Sequence, residues 1–241
     1  MEMPLVFIKL DKKLIILWLA LEKKIADLLN CKESEIYFTS GGSESNNIAL
    51  RGSIKSGDHF ITSSYEHPAV SNVASFFEKQ NIEVSYINPN ANGIINPNQV
   101  YKELKSNTKL ISIMLANNEI GSINPLKEIT SICKNENILI HTDAVQCIGK
   151  KNIDIADLNI DSLSLGAHKF YGPKGIGALY IKNGTSINPL ILGGGQEKGI
   201  SPGTENVALI SGMAYALEIA IKNIASSTSH INEMESLFLK L

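Results

Sequence analysis

The chain has 241 residues, 44% of them hydrophobic and 19% charged, the balance of a globular protein with a substantial buried core. Twenty-two basic residues against 24 acidic ones leave a net charge of −2 with no basic block, which argues against nucleic acid as a partner. Cys31, Cys133 and Cys147 form no CxxC pair, so a disulfide framework is excluded and a reducing compartment is expected.

In chain order, the first element is "LIILWLAL" (14–21), eight apolar residues where a bilayer span needs roughly 20. Lys12 and Lys13 precede it as in a secretory signal. Glu22, Lys23 and Lys24 follow where a cleavage site needs small residues, so the segment reads as a helix running on into "KKIADLLN". A cytoplasmic protein without membrane contact is expected. Strands follow at "EIYFTS" (35–40), "HFITSS" (59–64), "KLISIMLA" (109–116), "NILIHTD" (137–143), "DSLSLG" (161–166) and "GALYIK" (177–182). Several are nearly continuous apolar runs, as in strands covered on both faces. Between them, Pro125 opens a helix with Leu126, Ile129, Ile132 and Cys133 at helical spacing, which places Cys133 in the core. "VALISGMAYALEIAIKNIASS" (207–227) reads as one long apolar helix. The alternation predicts an α/β fold, a mostly parallel sheet flanked by helices.

In such sheets ligands bind beyond the carboxyl ends of the strands. Five of the six expected strand ends carry polar or glycine-rich clusters. After the first comes "SGGSESNN" (40–47), whose glycines permit close backbone approach and whose helix N-terminus suits an anion, although a plain capped turn has the same look. It is neither GK[ST] nor GxGxxG. After the second come Glu66, His67 and Pro68; a histidine there caps a helix or stacks on a planar group and passes protons. Asn117, Asn118 and Glu119 follow the third. Asp143 ends an apolar strand and needs a partner, either a salt bridge or a protonated ring nitrogen. Lys169 leaves the edge of the fifth strand beside His168, where partial desolvation suits an amine to Schiff-base chemistry. Lys174, in the turn Gly172–Gly175, is the weaker candidate. One cofactor accounts for the set: pyridoxal phosphate offers an aldehyde to a lysine, a phosphate to a helix terminus and a pyridinium to an aspartate. No metal site is expected.

From about Glu22 to Ile224 the chain resembles the cysteine desulfurases of the NifS/IscS type, in the class V aminotransferase group of fold-type I pyridoxal-phosphate enzymes. The stretches that carry the resemblance are "FTSGGSESNN", "EHPAV", "NNEIG", "HTDAVQ", "AHKFYGPKGIGALY" and "PGTENV". It implies a segment 1–20 without a match, followed by the large cofactor-binding domain over 21–241. It implies that Lys169 bonds the cofactor and carries the substrate's Cα proton, and that His67 stacks on the ring and assists proton transfer. Asp143 would keep the ring nitrogen protonated and Gln146 would bond the phenolic oxygen. Asn118 would sit beside cofactor and substrate carboxylate. Gly42, Ser43 and His168 would bind the phosphate, and Thr204 would reach the phosphate of a neighbouring subunit in a homodimer. The implied reaction turns L-cysteine into L-alanine and passes the sulfur, as a persulfide, towards iron–sulfur clusters and thio-cofactors through an acceptor or scaffold protein.

The sequence departs from that pattern at Met1–Ala20, at Gly166 in place of a phosphate-binding serine, and at Ser201 in place of an arginine. It has no counterpart of the family's smaller C-terminal domain, which holds the persulfide-forming cysteine. Little or no desulfuration by this chain alone is therefore expected. A non-catalytic scaffold or partner subunit stands as the alternative, followed by an aminotransferase or selenocysteine lyase.

Overall fold

The structure, a computed structural model, describes residues 5–133 and 138–240, the side chains of 5–11 excepted. Helix α1 (Leu5–Leu29) crosses the position-20 boundary without a break. It buries Leu21, Ile25, Ala26 and Leu29, one face at helical spacing, against α7 (Val207–Lys222). Asn30 stops it in the left-handed conformation (φ 53°), and the Cys31 N–H closes back on the Ala26 carbonyl.

The other elements are β1 (Ile36–Thr39), α2 (Gly42–Arg51), β2 (His59–Ser63), α3 (Pro68–Glu78), β3 (Glu83–Ile87), α4 (Pro97–Lys102), β4 (Thr108–Ser112), α5 (Leu126–Cys133), β5 (Leu139–Asp143), α6 (Ile155–Leu158), β6 (Ser162–Gly166), β7 (Gly177–Ile181) and α8 (Ile224–Phe238). The seven strands form one sheet in the order β1-β7-β6-β5-β4-β2-β3. Pairing is parallel from β3 to β6, and β7 runs antiparallel to both its neighbours. This is the expected mostly parallel sheet flanked by helices.

Consecutive strand residues feed opposite faces. Phe60 and Leu110 pack with α2 and α3 around Val70, Ala74 and Phe77, whereas Ile61 and Ile111 join the larger core under α1, α5 and α7. Cover on both faces explains why every residue of β2, β6 and β7 is buried. Cys133 lies in the larger core at 2% exposure.

Four details differ from the sequence reading. The strand expected over 109–116 is β4 over Thr108–Ser112. The edge strand β3 was not expected; with one neighbour and mostly open positions it lacks an apolar run. The strand expected over 137–143 is β5 from Leu139, and residue 137 lies outside the described residues. The helix expected over 207–227 is two helices, bent by 63° at Asn223. Asn223 ends α7 by returning its side-chain amide to the Ile219 carbonyl at 2.9 Å, a side-chain bond that competes with helix continuation. Among the described residues no single helix is long and apolar enough to cross a membrane; only the bent pair α7–α8 meets that test together.

Candidate active site

The carboxyl ends of β1, β2, β4, β5 and β6 lie on one edge of the sheet, because those strands run in parallel. The sixth expected strand, β7, runs the other way, which is why its end carries no polar cluster on this edge. At the shared edge is a cavity of ≈ 210 Å³. Eight of the nine expected site residues line it: Gly42, Ser43, His67, Asn118, Asp143, Gln146, His168 and Lys169. Thr204 does not; it lines a separate cavity with Glu44 and Ser201.

Gly41 adopts φ 154°, ψ −178°, a conformation essentially reserved for glycine, and it hands the chain from β1 into α2. A Cβ on Gly42 would stand 2.7 Å from Val145 Cγ2, so glycine lets the first turn of α2 approach the cavity without displacing that side chain. On Gly166 a Cβ would meet nothing closer than 3.5 Å, so the serine missing there has room.

His67 is the N-cap of α3, and Pro68 takes the first helical position. Its Nδ1 accepts the Ala69 N–H at 3.1 Å, so the neutral ring carries its proton on Nε2. His67 thus caps α3 and lines the cavity at once. Lys169 sits in the 3-10 turn Ala167–Phe170 that follows β6. It is half-buried, and among the described residues its amine makes no hydrogen bond or ion pair. Burial, then Lys169 and Lys174, lower the His168 pKa, which favours a neutral ring. Gln146 Oε1 accepts from Lys150 Nζ at 2.7 Å.

Asp143 is 6% exposed at the end of β5. Burial raises its pKa. Opposing that are the Asn46 amide at 2.7 Å on Oδ2, the Val145 N–H at 3.0 Å on Oδ1, and the fields of His67 and Lys169. Glu66 is the contrasting acid. Burial pushes its pKa up to about 8, against hydrogen bonds from the Ser63 hydroxyl (2.5 Å) and the Met114 N–H (2.9 Å). Burial thus raises both carboxyls, and at Asp143 it is opposed by two hydrogen bonds and two nearby cationic side chains.

Several residues that shape the cavity were not picked out from sequence. Asn46 lines it from α2, one turn past Gly42, within the quoted "SGGSESNN". Met114 lines it from beyond β4 and is held by the Glu66 carboxylate, the Asn124 amide on its carbonyl and the Asn117 amide on its sulfur. Asn117 also accepts the N–H groups of Glu119 and Ile120, fixing the loop that presents Asn118. Their signal, buried amides beside a strand end, emerges only once the strand ends converge.

The three cysteines stand apart from the cavity lining. Cys147 is 2% exposed and burial pushes its thiol up to about 11. Burial pushes Cys31 up to about 12. Among the described residues no group of three His, Cys, Asp or Glu side chains suits a metal ion.

The chain belongs to the aminotransferase class-V family, whose profile covers residues 9–240. Within it, the chain is 45% identical over 222 residues to the cysteine desulfurase IscS of Clostridium botulinum, covering 90% of this chain and 56% of that protein. Among solved structures it is similar to a NifS-like protein (TM-score 0.91, 36% identity, 95% of this chain and 65% of that one). It is also similar to SspA in complex with cysteine (TM-score 0.83, 43% identity, 86% and 62%). The chain thus spans about half the length of the curated relatives it matches.

Proposed function

We propose that this chain supplies the pyridoxal phosphate-binding portion of a cysteine desulfurase, with L-cysteine as substrate. The observation that carries the reading is the convergence of Lys169, Asp143 and His67 on one cavity with the N-terminus of α2. The donor set suits the cofactor. Gly42, Ser43 and His168 would hold its phosphate, Asp143 its ring nitrogen, His67 its ring face, Gln146 its phenolic oxygen and Lys169 its aldehyde carbon. Once bound, the cofactor supplies an electron sink conjugated to the substrate's amino group.

The chain's own residues do the rest. Lys169 would hold the cofactor covalently and, as a free amine, would hold the proton taken from the substrate's Cα. His67, with Nδ1 engaged by the Ala69 N–H, gives and takes protons at Nε2. The Asp143 anion favours a protonated ring nitrogen, and Asn118 orients the substrate carboxylate. The reaction moves a sulfur atom from L-cysteine to an acceptor thiol, leaving L-alanine and a persulfide. Cys31 and Cys147 are poor acceptors, because burial keeps both protonated. The acceptor thiol is therefore sought elsewhere, and little desulfuration is expected of these 241 residues alone. SspA bound to cysteine and the similarity to the cysteine desulfurase IscS support the substrate; delivery to an iron–sulfur scaffold in the cytoplasm is part of the proposal. Thr204, exposed and outside its own cavity, fits a role at a second copy's phosphate in a homodimer.

The test is to add pyridoxal phosphate, reduce with borohydride and map the labelled peptide. The adduct is expected on Lys169; an adduct on another lysine with Lys169 unlabelled overturns the assignment.

A further inference from the structure

We infer that Asn46 is a positioning residue for this site: from α2 it holds the Asp143 carboxylate ionised and aimed at the ring nitrogen of the cofactor. The inference rests on the pyridoxal phosphate reading and adds a residue that neither the motifs nor the relatives' names assign.

Asp143 has two hydrogen-bond donors of different kinds. The Val145 N–H, two residues along, closes a local turn that the loop carries wherever it goes. The Asn46 amide reaches Oδ2 at 2.7 Å from a helix 97 residues away in sequence. Asn46 is fully buried, it lines the cavity, and its Oδ1 has no partner among the described residues. Among the described residues its side chain therefore makes one hydrogen bond, the one to Asp143. A buried amide costs stability when half of it goes unpaired. Its position makes sense if the bond to Asp143 is what the site needs.

The charged and titratable groups that face Asp143 are His67 from the N-terminus of α3, Lys169 from the turn after β6, Glu66 from the end of β2, and Cys147 along its own loop. The first two favour the anion, yet burial still raises the Asp143 pKa. Removing Asn46 takes away the strongest of the influences that lower the Asp143 pKa, and a protonated Asp143 cannot keep a ring nitrogen charged. The same helix starts at Gly42 and Ser43, about 6 Å along its axis from Asn46. One rigid element thus sets both the anion-binding end and the carboxylate end of the cavity.

The experiment uses the full chain loaded with pyridoxal phosphate, as wild type, Asn46→Ala and Asn46→Leu, the last keeping volume while removing the donor. The absorbance of the bound cofactor is titrated with pH, and the apoprotein is melted in parallel. A protonated ring nitrogen withdraws electrons from the bond to Lys169 and makes that linking nitrogen more acidic. Losing the ring proton should therefore move the spectral midpoint up, by about one pH unit, the size of one hydrogen bond to a charged group. A structural role alone would lower the melting temperature and leave the midpoint in place. An unshifted or lowered midpoint in either variant overturns the inference. If wild type retains no cofactor after desalting, it is the underlying reading that has failed.

Discussion

Asn124 and Phe238 show two ways of treating a side chain. Asn124, 3% exposed, gives its amide to the Met114 carbonyl and the Tyr65 hydroxyl, while its oxygen accepts from the Ile95 N–H. Phe238, on α8, is 75% exposed, and α8 buries no residue at all. Ile231, Met234 and Leu237 lie open on the same helix. Around Asn124 the buried polar groups are paired, and such networks lock geometry in place. On α8, apolar groups lie in solvent and lock nothing. Precision is concentrated where the strand ends meet, and α8, which buries no residue, contributes little to it.

The comparison can be broken most sharply at Lys169. Lys169→Ala should abolish the borohydride-stable cofactor adduct, read by mass spectrometry of the digested protein, while the urea midpoint stays near that of wild type. Next in size is Asn124→Ala, which strands the Ile95 N–H and the Met114 carbonyl. A loss of about 3 kcal/mol is expected by urea denaturation; a loss below about 1 kcal/mol would show the network to be dispensable.

A smaller effect distinguishes two buried titratable groups. The folded pKa of Glu66 is raised to about 8. Above its ordinary value the native state therefore binds the extra proton, and this group's contribution to stability falls as pH rises through 8. Glu66→Gln should flatten that decline in a series of melts between pH 6 and 9. His141, held between the Ser112 and Ser164 hydroxyls, is lowered to about 3 by burial. It acts in the opposite sense, costing stability as pH drops below about 6.5, where the unfolded chain takes up the proton. A melt series in which Glu66→Gln behaves as wild type would mean that Glu66 is ionised in place. Smallest of all, Phe238→Ser should change stability by about 0.5 kcal/mol or less; a larger loss would mean that α8 is packed in solution.

Much of this site could be read from sequence because each cluster stands directly after an apolar strand. Lys169 was preferred over Lys174 on that ground, and the cavity includes the first and excludes the second. Asn46 and Glu66 could not be weighed in the same way. Their importance comes from partners 97 and 48 residues distant, and no local periodicity encodes such a pairing. The edge strand β3 was hidden for a simpler reason, since a strand open to solvent needs no apolar run. The break at Asn223 was overlooked because the apolar spacing continues across it, while one side chain diverts the backbone.

The reversed strand β7 has a consequence for how the protein is made. Ile36 pairs with Tyr180, and Gly177 slots between the chain at Gly41 and that at Leu165. During synthesis β1 therefore emerges long before its neighbour, on the order of ten seconds at ordinary ribosomal speed. Until residues 177–181 arrive, the glycine-rich turn after β1 has nothing to dock on, and the nascent chain carries a cavity with one wall missing. The cavity's frame is thus completed late, by a strand that contributes no side chain to its lining.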